Sequence, residues 1–196
     1  MHSSELEILK DREPAIGAHP LRVVLWLLMV SSTMIFAAYT SAFIVRREEG
    51  NWLEFDLPHS LLYTTATILV SSAFVQWAYA AARKDEVRRV QLALGVTFAL
   101  GLAFLVGQWN VWGQLVANGI HFAGGANPSE SFVYLLMGVH AFHLITGLIF
   151  LLVVLRKSFN YQVHSRQMLS IGNVTIYWHF LGGLWLYLYL FLLLNH

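Results

Sequence analysis

Cysteine is absent from all 196 residues, so disulfides, thiolate nucleophiles, cysteine-held zinc and iron–sulfur clusters are excluded at once. Charge is scarce as well: Asp, Glu, Lys and Arg make up 12% of the chain, against 57% hydrophobic residues and a mean hydropathy of +0.58. That leaves too little polar surface to cover a water-soluble globule of this size, and lipid is the solvent for most of the chain. Twelve Lys and Arg against eleven Asp and Glu give no basic excess, which removes nucleic acid as a partner.

What is present is a set of long apolar runs. A hydrocarbon core of about 30 Å needs roughly 20 apolar helical residues, because backbone groups left unpaired in lipid are too costly. Five runs qualify, at about Leu21 to Val45, Ser60 to Ala82, Val90 to Leu115, Ser131 to Leu155 and Gly172 to Leu194. The expectation is an all-α integral membrane protein, a bundle of five transmembrane helices spanning residues 21–196. Residues 1–20 mix Glu5, Glu7, Lys10, Asp11, Arg12 and Glu13 with few apolar positions and read as a soluble, uncleaved tail. Short polar links rich in Gly, Pro, Asn and charge separate the runs and leave no room for a second domain.

Basic residues fix the expected orientation, since Lys and Arg near helix ends stay on the cytoplasmic side. One side collects Lys10, Arg12, Arg22, Arg83, Lys84, Arg88, Arg89, Arg156, Lys157 and Arg166, whereas the other has Arg46 and Arg47. The amino terminus is placed in the cytoplasm and the carboxyl terminus in the periplasm. Trp26, Trp77 and Tyr79 fall near the inner interface, and Tyr39, Trp109 and Trp112 near the outer one, where amphipathic rings prefer to sit.

Away from the edge residue Arg22, no Asp, Glu, Lys or Arg falls within the five runs. Ion-coupled transporters and proton relays hold such groups at mid-membrane, so the chain does not read as a transporter by itself. The polar residues that remain, among them Gln76, Gln108, His140, His143, Thr146 and His179, suit hydrogen bonds between helices. His140 and His143 share a face of the fourth helix, and His179 lies near the start of the fifth. Axial heme ligation would need two imidazoles facing each other across a porphyrin. Counted from the cytoplasmic ends, His143 and His179 differ in depth by roughly 7 to 8 Å, which weakens that reading without closing it. The other reading, neutral imidazoles packed between helices beside Gly138, Gly147, Gly182 and Gly183, carries more weight.

Two segments resemble a known family. Tyr177-Trp178-His179-Phe180, with Trp185 five positions on, is similar to the last-helix signature of the third subunit of heme–copper terminal oxidases. Gly138, His140, His143 and Gly147 resemble that family's pattern in the preceding helix, and Leu57-Pro58 and Gln108 sit where the family has them. The similarity begins at the family's third helix, so the chain resembles the short five-helix form. Two positions depart from the pattern: Thr33 stands where a buried glutamate is common, and Gly182 where an aspartate follows the signature.

The resemblance implies a subunit III of an aa3-type cytochrome c oxidase, acting in aerobic respiration from the bacterial inner membrane. It implies no catalytic, cofactor-binding or metal-binding residue in this chain, with hemes and copper held by partner subunits. It also implies subunit I and subunit II as partners, bound phospholipid, and membership of a respiratory supercomplex. His140, His143, Gly147, Tyr177, Trp178, His179, Phe180 and Trp185 are then packing residues, with contacts to lipid or to the path of oxygen. Two alternatives stay open at this point: a membrane heme-b carrier using His140 or His143 with His179, and an accessory subunit of a related quinol oxidase or nitric oxide reductase.

Overall fold

A computed structural model describes residues 20–48, 50, 58–119, 128–159 and 168–195. The N-terminal tail, including Lys10 and Arg12, lies outside the described residues, as does Arg166. Five helices account for nearly all the described chain: α1 Pro20–Glu48, α2 Ser60–Ala82, α3 Val87–Ala117, α4 Pro128–Phe159 and α5 Leu169–Asn195. All five are long and apolar enough to cross a membrane. Helix α2 coincides with its apolar run, while the other helices extend two to four residues beyond theirs at most ends. Four of these extensions carry charged residues, at 46–48, 87–89, 128–130 and 156–159, and hydropathy reads the hydrocarbon span rather than the whole helix.

The extension of α4 takes in Glu130, which is buried in its first turn. A carboxylate there complements the partial positive charge of the helix N-terminus. Between α2 and α3 the turn is tight: Asp85 adopts φ 56°, and Glu86 N–H donates to the Ala81 carbonyl at 3.1 Å. Aspartate is among the few residues that accept this left-handed conformation at low cost.

Helices α2, α3, α4 and α5 form a ring in which each touches the next and α5 closes back on α2. Helix α1 stands outside the ring and, among the described residues, packs on α4 and α5 alone. Its inward stripe is Leu25, Met29, Ser32, Phe36, Thr40 and Phe43, at the three-and-four spacing of one helix face. Cross-helix bonds hold it in register with α5: Thr40 and Tyr187 hydroxyls lie 2.9 Å apart, and Arg22 Nε donates to Asn173 Oδ1 at 3.5 Å. Phe43 adds edge contacts to Phe132 of α4 and Phe191 of α5.

The interior of the five-helix bundle is filled by large aromatic groups. Trp178 and Trp185 of α5, Phe104 of α3 and Phe36 of α1 are fully buried. Trp26, Trp77 and Trp109 point outward instead.

Candidate functional site

The two sequence motifs meet along the seam between α4 and α5. These helices run antiparallel, so His140 lies level with Trp185 and Gly147 with Leu181 and Trp178. The His140 ring sits 5.1 Å from Trp185, 6.1 Å from Phe104 and 6.3 Å from Phe36, centroid to centroid. It is 0% exposed, and neither ring nitrogen has a hydrogen-bond partner among the described residues. A neutral imidazole in such a setting is held by packing against aromatic faces rather than by hydrogen bonds. Replacing His140 with Leu removes an unpaired polar group and roughly keeps volume. The expected result is a change of less than about 1.5 kcal/mol in resistance to unfolding by dodecyl sulfate, with no loss of helicity.

His143 lies one turn further on and faces α1, 5.6 Å from the Phe36 ring. Its Nδ1 is 2.8 Å from the Val139 carbonyl, which can only accept, so Nδ1 carries the proton. Below it the Thr146 and Tyr177 hydroxyls lie 2.9 Å apart, and Phe180 stacks on Tyr177 at 6.3 Å. Gly147 faces the same place: a Cβ there would come within 2.6 Å of Leu181 Cδ1. Small residues at this point let α4 and α5 close up.

His179 is not part of this seam. It is exposed on the side of α5 that faces α2, and its Nε2 lies 3.1 Å from Gln76 Oε1. Helix α2 does not touch α4 among the described residues, so His179 and His143 look to different sides of the molecule. Depth separates them less than the sequence count suggests, because the packing of the seam, and not the distance from each helix end, sets their levels. Level pairing of His140 with Trp185 leaves about 5 Å between them along the axis. Facing, rather than depth, keeps the imidazoles apart, and His140 is walled in by Phe36, Phe104 and Trp185. The paired ligation that a heme-b carrier requires is not present in this arrangement. Among the described residues no three or more His, Asp or Glu side chains are grouped so as to hold a metal.

Two partners of the signature are not singled out by the sequence. Trp178 Nε1–H donates to Ser71 Oγ and Trp185 Nε1–H to Thr65 Oγ1, each at 3.0 Å and buried. Tryptophans seven apart on α5 thus meet hydroxyls six apart on the antiparallel α2, a register that matching distances along two helices could have found. Gln108 follows the same logic, with Nε2 donating to Thr64 Oγ1 at 3.1 Å. Thr65→Val keeps the shape and removes the acceptor, leaving the indole N–H unpaired. We expect a loss of about 1 kcal/mol in dodecyl sulfate unfolding, absent when Trp185 is already Phe.

The departures noted in the sequence also find their places. Thr33 lies on the exposed side of α1, with its hydroxyl donating to the Met29 carbonyl at 2.9 Å. The buried hydroxyl at this level is Ser32, 1% exposed and donating to the Leu28 carbonyl at 2.8 Å. Gly182 is buried where α5 meets α2, and a Cβ there would lie 3.0 Å from Ser72 Oγ.

The family model for cytochrome c oxidase subunit III matches residues 9–195. The chain belongs to this family. Subunit 3 of the cytochrome bo(3) ubiquinol oxidase of Pseudomonas aeruginosa is 30% identical over 166 residues, covering 82% of this chain and 78% of that one. Cytochrome c oxidase subunit 3 of Thermostichus vulcanus is 28% identical over 186 residues, covering 87% and 86%. The rabbit (Oryctolagus cuniculus) subunit is longer: 28% identity extends over 131 residues, 65% of this chain and 47% of the relative. Of the residues that carried the resemblance, His140, Gly147, Tyr177, Trp178 and Trp185 lie along the α4–α5 seam, whereas His179 faces α2. A role in respiratory electron transport, within a multi-pass membrane complex that reduces oxygen, follows for the family.

Proposed function

We propose that this chain is the non-catalytic subunit III of an aa3-type heme–copper terminal oxidase in a bacterial inner membrane. It lies against subunit I, within a complex that also contains subunit II, and keeps the catalytic subunit intact through turnover. The observation that carries this reading is the family match over residues 9–195. Hemes and copper are then held by the partners, and the chain itself contributes surface. Its orientation follows the basic residues: Arg22, Arg83, Lys84, Arg88, Arg89, Arg156 and Lys157 on the cytoplasmic side, and Arg46 and Arg47 on the periplasmic side.

Phospholipid and an oxygen path fit the same reading. An open groove of about 1330 Å³ crosses the periplasmic halves of α2, α3 and α4, lined by Trp109, Trp112, Tyr134, Gly138 and Phe142 among others. Its floor is apolar, and Ser60, Asn110 and Gln114 lie at the membrane-surface end, a gradient that suits an acyl chain and its polar head.

A quinol oxidase is the second reading, favoured by the similarity to the ubiquinol oxidase subunit of Pseudomonas aeruginosa. One purification separates the two. The chain, tagged and extracted in mild detergent, should bring down a large heme-bearing subunit. Heme A with a dinuclear copper signal supports the aa3 reading, while heme B or O without that copper supports the quinol reading. Recovery of the chain alone, fully functional in its cell, overturns both.

A further inference from the structure

We propose that the outward face shared by α2 and α5, centred on Gln76 and His179, is where a transmembrane helix of the large oxidase subunit docks. The proposal rests on the subunit III reading above and adds the face to it. Both side chains are exposed, and their mutual contact at 3.1 Å is the hydrogen bond each makes among the described residues. That leaves both amide hydrogens of Gln76 and Nδ1 of His179 turned out of the bundle without a partner there.

Depth makes this costly in lipid. Gln76 is five residues from the midpoint of α2 and His179 three from the midpoint of α5, about 8 Å and about 5 Å along the axes. Both fall well inside a hydrocarbon half-thickness of about 15 Å. Lipid tails offer neither donor nor acceptor, so an amide and an imidazole at this depth call for a protein group beside them. A serine or threonine could turn its hydroxyl back on its own helix, as Thr33 and Thr40 do, but Gln76 and His179 do not.

The surrounding surface is shaped for a helix. Exposed Ala66, Ala73 and Ala80 recur every seventh residue of α2 beside Gln76, and exposed Gly183 lies one turn from His179. Small side chains at that period let a neighbouring backbone come close enough for side-chain hydrogen bonds. The occupant is therefore a helix of the catalytic subunit presenting a hydrogen-bonding group at the level of Gln76. The outward face of α1 competes for the role, since Ser31, Ala38 and Ser41 are exposed there, but it carries no amide or imidazole.

A photoreactive benzophenone side chain placed at exposed positions of the complete oxidase in native membranes tests the assignment without touching the internal packing. Probes at Ala73 and Ala80 should form an adduct with the large subunit, and probes at Met34 and Ala38 on α1 should label lipid. In parallel, Gln76→Leu should lower retention of the large subunit about three-fold in a detergent wash, the size of one interhelical hydrogen bond. Adducts from Met34 or Ala38, with Ala73 and Ala80 labelling lipid, overturn the face and leave the subunit III reading standing. Absence of any oxidase subunit from the purified wild-type chain overturns both.

Discussion

Trp178→Ala should destabilise the bundle by about 3–5 kcal/mol, the largest effect expected of any single truncation in this chain. The indole is 0% exposed and reaches three other helices from α5. Its N–H donates to Ser71 of α2, its outer edge lies against Gly101 of α3, and its Cε3 edge faces Gly147 of α4. Alanine therefore opens a cavity at the point where the ring α2–α3–α4–α5 closes, and leaves Ser71 Oγ without its donor. Trp178→Phe keeps most of the ring volume and loses the bond, so its cost should be smaller, about 1 to 2 kcal/mol. Dodecyl sulfate titration of the purified chain, followed by circular dichroism, gives the two values. Equal losses from Ala and Phe would mean that the hydrogen bond, and not the packing, holds the ring; a loss below about 1 kcal/mol for Ala would mean that the ring closes elsewhere.

This centrality of Trp178 is only half visible in the sequence. The five spans are legible because length and hydropathy are properties of the solvent, and lipid demands some twenty apolar residues each time it is crossed. Which faces pair is not legible by the same means. In water a buried stripe is apolar and the rest polar, but a helix in lipid is apolar all round, so Leu21 and Leu25 look alike although one faces out and the other in. Motif similarity supplied part of what periodicity could not, by marking His140, Gly147, Trp178 and Trp185, which the structure gathers at one seam. It did not separate His179, whose place in the same short signature turns it away from the seam because one residue turns a helix by about 100°. Thr33 and Ser32 show the same sensitivity: adjacent hydroxyls, one buried and one exposed. Ser71 and Thr65 escaped notice because serine and threonine in membrane helices commonly bond their own backbone, and nothing local tells when they also serve a tryptophan.

Packing of this kind predicts an opposite and testable failure at the other side of the same ring. A Cβ on Gly101 would lie 2.8 Å from Trp178 Cη2 and 2.8 Å from Leu148 Cδ2. The leucine tip can turn away, but the indole is held by its bond to Ser71 and by its own rigidity, so the clash falls on the backbone spacing of α3. Gly101→Leu should therefore cost about 1–3 kcal/mol or more by overpacking, and should loosen α3 from α5 rather than unwind either helix. The two sites are in contact, and their effects should not add. Gly101→Ala combined with Trp178→Phe should recover at least half of the loss caused by Gly101→Ala alone, because the smaller ring returns the space that the methyl group takes. Recovery of that size, read in the same dodecyl sulfate titration, would establish that α3 and α5 press on each other at this pair, in addition to the contact of Phe104 with Trp185 at 4.9 Å. Additive losses would mean that the glycine is needed for helix flexibility instead, and that the indole fills a space that α3 does not define.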